Sequence, residues 1–250
     1  MQNKISVIII TGNEEKNIKD CLESLKWADE IIVVDSESKD KTVEIAKEFT
    51  NKVVIHKWEG YAAQKSFALN LAANEWILSL DADERVTPEL AEEIKNLDLS
   101  NQNIDAFKIH RDNYFLGKKI TSCGWETDYQ LRLFKKSKTK LTDRLVHEGF
   151  VVDGSISTLN NSITHYSYTS LKEGFKKINE YSTLEANEKY LKKNVNLFTI
   201  LFVPFIAFLQ HYVFRKGFTD GKYGLMVSLM HAITKMQVQM KMWELKKDKS

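Results

Sequence analysis

The feature that most restricts how this chain can fold is a series of short apolar runs, each stopped by polar residues. Ile5 to Ile10, Ile31 to Val34, Val53 to Ile55 and Trp76 to Leu80 are too short for typical helices and rich in β-branched residues. They read as strands covered on both faces. Between them, Glu15 to Leu25 sets Ile18, Cys21, Leu22 and Leu25 on one helical stripe, and Thr42 to Phe49 and Tyr61 to Ala73 suit two further helices. Strands alternating with helices at this spacing predict an α/β domain with a mostly parallel sheet. Ligands of such sheets gather beyond the carboxyl ends of the strands. Thr11, Asp35 and Asp81 stand at three of those ends.

The fourth run stops on Asp81-Ala82-Asp83-Glu84. Two carboxylates one residue apart, delivered to a sheet edge, can hold a divalent cation. No GxGxxG follows the first strand, which counts against a dinucleotide-binding fold of the oxidoreductase kind. Thr87-Pro88-Glu89 has the pattern of a helix start, with Thr as N-cap and Pro at the first helical position, and that helix should end near Leu97. Beyond it, Ala106 to Ile109, Gln130 to Phe134 and Gly149 to Val152 read as strands without clear helices between them, so the second half of the sheet should be more antiparallel. Two compact polar clusters lie there, Gly124 to Tyr129 and Arg144 to Glu148.

Charge divides the chain. Residues 1–165 hold 22 Lys/Arg against 27 Asp/Glu, whereas residues 166–250 hold 14 against 7. The tail also carries five of the six methionines and the longest uncharged stretch, Val195 to Phe214. That stretch is long enough for a membrane span. Lys189, Lys192 and Lys193 precede it and Arg215 and Lys216 follow it, so both flanks prefer the cytoplasm and an in-plane or re-entrant segment is expected instead. A buried helical pair is the plainer alternative. Leu225 to Trp243 suits an amphipathic helix on lipid or on the domain. The two cysteines, Cys21 and Cys123, form no CxxC or disulfide pattern, and no signal-peptide pattern opens the chain, so a cytoplasmic protein is expected. The basic excess is confined to an apolar helical tail, which argues against nucleic acid as a partner.

Five segments recur in one order: Ile10-Thr11-Gly12-Asn13-Glu14-Glu15, Val33-Val34-Asp35-Ser36, Gly60-Tyr61-Ala62-Ala63-Gln64-Lys65, Leu80-Asp81-Ala82-Asp83 and Arg132-Leu133-Phe134. In this the chain resembles the family-two glycosyltransferases, inverting enzymes of the GT-A fold, over residues 4–165. Within that family it is most similar to the small bacterial enzymes of lipopolysaccharide core assembly. The resemblance implies a Rossmann-like nucleotide-binding domain over residues 1–165 and a membrane-associating helical extension over 166–250. It implies that Thr11 and Glu14 line the nucleotide pocket, that Asp35 contacts the base or ribose, and that Lys65 lies near the base or phosphates. Asp81 would face ribose and metal, and Asp83 would be the main protein ligand of Mg or Mn.

The chemistry of transfer adds three expectations. A leaving diphosphate needs its charge neutralised, by the metal and with help from Arg132 or Arg144. The acceptor hydroxyl needs a base, for which Asp128 is the candidate and Glu126 the reserve. His147 could complete the metal shell, although a lone histidine is more often a structural one. The expected activity is transfer of a sugar from a nucleoside diphosphate, with UDP favoured, to a hydroxyl of a lipid-linked saccharide at the inner face of the cytoplasmic membrane. A polyprenyl-phosphate glycosyltransferase and a catalytically inactive nucleotide-sugar-binding module are the alternatives.

Overall fold

The computed structural model describes residues 4–100, 103–141 and 149–247. These cluster into two compact units. One runs to Arg111 and resumes at Tyr129 as far as His165; the other comprises Asp112–Asp128 and the chain from Tyr166 onward. The elements in chain order are β1 (Ile5–Thr11), α1 (Ile18–Glu23), β2 (Glu30–Asp35), α2 (Thr42–Lys47), β3 (Val53–Ile55), α3 (Tyr61–Leu71), β4 (Trp76–Asp81), β5 (Glu84–Val86) and α4 (Pro88–Lys95). They continue as β6 (Ala106–Phe115), β7 (Lys118–Lys119), β8 (Tyr129–Lys135), β9 (Thr139–Leu141), β10 (Phe150–Val152), β11 (Ile156–Tyr168), α5 (Leu171–Lys189), α6 (Leu197–Leu209) and α7 (Gly221–Lys247).

In the first unit the sheet runs β3-β2-β1-β4-β8-β6-β11-β5. The strands β1, β2, β3 and β4 are parallel, with Thr11 opposite Asp35 and Ile10 opposite Asp81. That register sets the polar ends of three strands side by side. The other half is antiparallel, as the shorter strand signals suggest: β8 pairs with β4 and β6, and β11 with β5. The apolar runs are continuous because both faces are covered. Val7, Ile9, Leu78 and Leu80 join Ile18, Cys21 and Leu22 of α1 in one core, while Ile8 and Ile77 join Ala68 and Leu69 of α3 in the other. Each such aliphatic side chain contributes about 1.5–3 kcal/mol by leaving water. The hydroxyl of Thr87 accepts from the Leu90 N–H and starts α4, with Pro88 at its first position.

Residues 164–168, where the composition changes, form no linker; they are the last residues of β11. In the second unit, α7 packs against both α5 and α6. Phe115, Ile120, Cys123, Ile178, Val227 and Met230 form one buried cluster there, and Ala186, Val238 and Met242 another. Asn196 caps α6 in a reciprocal box with Thr199. Leu197–Phe214 is 18 residues with a mean hydropathy of 1.9, apolar and long enough to cross a membrane, and only 6% of it is buried. α6 pairs with α7, but its outer face is not covered: Phe198, Leu201, Phe202, Phe205 and Ile206 all lie exposed. The helix ends in a wider π turn over Gln210–Phe214.

Candidate active site

The turn from β4 into β5 carries the acids, and it is built from the inside by Glu84. This carboxylate is fully buried. It accepts the Asp81 N–H at 3.0 Å and bonds the Arg132 guanidinium, with Arg111 Nη1 at 3.3 Å. Arg85 Nη1 donates to the carbonyls of Ala82 and Glu84, both at 2.9 Å, and closes the turn from the other side. The acidic Asp-Ala-Asp triplet is thus presented on a rigid platform, the arrangement that positions a first shell of reacting groups.

Asp81 points into a basic surround. Arg132 Nη2 donates to its Oδ2 at 2.7 Å, and Lys65 Nζ stands 3.6 Å from Oδ1. Burial works to raise the Asp81 pKa, but Arg132, Lys65 and Arg111 outweigh it and hold the carboxyl well below its ordinary range. Burial likewise works to lower Arg132, and Asp81 with Glu84 more than reverse it, so the guanidinium stays charged. Lys65 keeps only 13% of its side chain in water, so it is not a solvated helix lysine. Lys65 and Arg132 therefore stand together at the carboxyl end of β4, two donors of the kind that bind a diphosphate.

Asp83 faces a different partner. β11 pairs with β5 so that His165 lies opposite Glu84, and its Nε2 comes to 3.6 Å from Asp83 Oδ1. The two side chains are 12% and 15% exposed. The Asp83 carboxylate is the kind of oxygen ligand that would hold Mn or Mg, and the His165 imidazole could stand beside it. Among the described residues no group of three or more His, Cys, Asp or Glu side chains forms a complete cage. Magnesium is commonly bound through one or two carboxylates beside substrate phosphates, a role the Asp83 carboxylate could fill.

At the adjoining strand ends, Thr11 is buried and its Oγ1 has no hydrogen-bond partner among the described residues. An orphaned buried hydroxyl costs about 1–3 kcal/mol, so a ligand group that satisfies it gains that much. Asp35 is fully buried, and its carboxylate accepts from the backbone N–H of Ser38 at 2.8 Å and from its hydroxyl. It shapes the loop that follows β2. Gln64 ties that loop to β3, donating to Ser36 Oγ at 2.7 Å and to the His56 carbonyl at 3.1 Å. Glu14 Oε2 accepts from Asn17 at 2.7 Å, and the Glu14 N–H donates to Thr42 Oγ1 at 2.8 Å. Its carboxylate is engaged at the start of α1.

In the second unit, Asp128 Oδ2 accepts from Asn113 Nδ2 at 2.9 Å, and Ser167 Oγ donates to Asn113 Oδ1 at 3.3 Å. Glu126 Oε2 accepts the Gly124 N–H at 2.8 Å and so supports its own loop. Arg144 and His147 lie outside the described residues. The sequence reading passed over His165 and Glu84. Serine, threonine and tyrosine surround His165 without an apolar alternation, so nothing marked β11 as a strand; Glu84 was legible as an acid but not as the anchor of the turn.

The model of glycosyl transferase family 2 matches residues 6–164 of this chain. An uncharacterized glycosyltransferase of Rickettsia typhi, RT0209, is 34% identical across 97% of this chain and 87% of its own length. The lipopolysaccharide core biosynthesis glycosyltransferase LpsC of Rhizobium meliloti is 32% identical across 85% and 82%. Among solved structures, S. aureus TarS 1–349 in complex with UDP-GlcNAc superposes with a TM-score of 0.53 at 16% identity, covering 98% of this chain and 92% of that one. The similarity to TarS is one of fold.

Proposed function

Since the chain belongs to glycosyltransferase family 2 and has the GT-A fold, we propose that it moves a sugar, with inversion and with a divalent metal, from a nucleoside diphosphate to a hydroxyl of a lipid-linked saccharide. The observation that carries this reading is the set of side chains at the β4–β5 turn: Lys65 and Arg132 against Asp81, and Asp83 against His165. UDP is the favoured nucleotide, and a saccharide of the lipopolysaccharide core the favoured acceptor, since the name of LpsC assigns that relative to core biosynthesis and TarS binds UDP-GlcNAc.

Each residue then has a task. Thr11 and the loops held by Glu14 and Asp35 receive base and ribose, where the unpartnered Thr11 hydroxyl gains a bond. Lys65 and Arg132 bind the diphosphate and stabilise the charge that develops as the glycosidic bond to it breaks. Asp83, with His165 beside it, would hold Mg or Mn, which would supply further neutralisation of the leaving diphosphate. Asp128 takes the proton of the acceptor hydroxyl as that oxygen attacks the anomeric carbon on the face opposite the leaving group, which is the requirement of inversion. Residues 1–165 form the transferase domain and residues 166–250 the membrane-associating extension, with the exposed apolar face of α6 and its flanking Lys189, Lys192, Lys193, Arg215 and Lys216 meeting an anionic inner leaflet.

The test is a panel of UDP- and GDP-sugars incubated with the protein, Mn or Mg, and a lipid-linked saccharide. Transfer that EDTA abolishes and Mn restores supports the reading. Absence of transfer, of donor hydrolysis and of nucleotide binding across the panel refutes it. Asp83→Asn should cut turnover at least about a hundredfold, the order lost with one preorganised charge-stabilising group.

A further inference from the structure

The extension does more than offer an apolar surface, because residues 121, 122, 123 and 125 each bond to it. Asp220, buried ahead of α7, accepts from the Thr121 N–H at 2.9 Å and from Ser122 Oγ at 2.6 Å. The Cys123 N–H donates to the Arg215 carbonyl at 2.9 Å, and His211 Nδ1 lies 2.7 Å from the Cys123 carbonyl. A carbonyl only accepts, so His211 carries its proton on Nδ1. Trp125 Nε1 donates to His231 Nε2 at 3.3 Å. An indole N–H only donates, so His231 is the neutral tautomer protonated on Nδ1. The two imidazoles stack at 3.8 Å and within 6° of parallel.

Two features show that the backbone yields to this arrangement. Cys123 and Gly124 are consecutive residues with positive φ, at 61° and 85°, the first without glycine's freedom. His211 comes from the π turn that interrupts the helical end of α6; such turns are rare and concentrate at functional sites. Residues 126–128 follow directly and carry the two acids, and Asn113 donates to Asp128 there.

We propose that His211 and His231 are positioning residues: through Cys123 and Trp125 they hold the loop that presents Asp128, so that the extension is part of the catalytic apparatus as well as its attachment to lipid. This rests on the reading of Asp128 as the base. A base must sit within hydrogen-bond reach of the acceptor hydroxyl, and a displacement of about 1 Å costs up to a hundredfold in rate.

The experiment compares His231→Phe, which keeps a ring in the stack but offers no acceptor, with His231→Gln, whose Oε1 can replace Nε2. Turnover, donor KM and the indole N–H resonance of Trp125, assigned with Trp125→Phe, are measured in the full-length protein. The inference expects His231→Phe to lower kcat by tenfold or more with donor KM unchanged and to move the indole resonance, and His231→Gln to recover both. It is overturned if His231→Phe retains wild-type kcat, or if kcat and donor KM fall together while the indole resonance stays in place. Asp128→Asn separates the two claims: full activity in that variant refutes the base, while the resonance in His231→Phe still decides whether the histidine holds Trp125.

Discussion

At the scale of single residues, the site depends on a buried carboxylate that performs no chemistry. Glu84 orders the turn carrying Asp81 and Asp83, and Arg132 neutralises it together with Asp81. Arg132→Met would leave Glu84 buried with Arg111 as its remaining cation. We expect a loss of about 3–5 kcal/mol, the cost of breaking a buried ion pair from one side, read as a lowered unfolding midpoint in urea. His231 provides a test by pH. Burial, and then repulsion from His211 once it is protonated and from Lys235 and Arg215, push its pKa down to about 3. The folded state therefore prefers the neutral ring, and the stability this carries is whole above the ordinary histidine value of about 6.5 and drains as pH falls through the window below it. Thermal melts between pH 7 and pH 4 should show a steeper acid loss for the wild type than for His231→Phe. The acids at the strand ends were legible because strand termini can be read from apolar runs; the imidazole beside Asp83 was not, because its strand alternates only weakly.

At the scale of elements, β1 to β4 and their helices match the reading closely, since a doubly covered strand is written as a continuous apolar run. β11 escaped it. Ile156–Tyr168 alternates weakly and contains Asn160-Asn161, whose side chains bond Glu93 of α4. Tertiary partners, not propensity, make it a strand. α6 presents the converse case: its sequence favours an in-plane or re-entrant segment over a span, with a buried helical pair as the plainer alternative, and the structure leaves its apolar stripe exposed. Phe202 and Phe205 are 44% and 56% exposed, so replacing both by Asp should leave the melting temperature within about 1–2 °C while abolishing co-sedimentation with vesicles of mixed neutral and anionic lipid. Unchanged sedimentation would exclude this face as the lipid contact.

At the scale of the whole molecule, the compositional break near residue 165 suggests a detachable tail, yet the second unit also takes in residues 112–128. Cutting the chain after Asn194 would remove Arg215, His211, Asp220 and His231 together. The shortened protein should leave the membrane pellet and also lose transfer, measured with a soluble acceptor so that attachment alone cannot explain the loss. What the sequence by itself determined is the α/β order, the edge at which the acids converge and the family that uses them, because these depend on local periodicity and on motifs a few residues long. Tertiary structure alone decided that Glu84 anchors the turn, that His165 meets Asp83 and that the extension grips the loop before Asp128. Those contacts join residues up to 106 apart in the chain, and a hydrogen bond between two such side chains leaves no periodic trace in either segment.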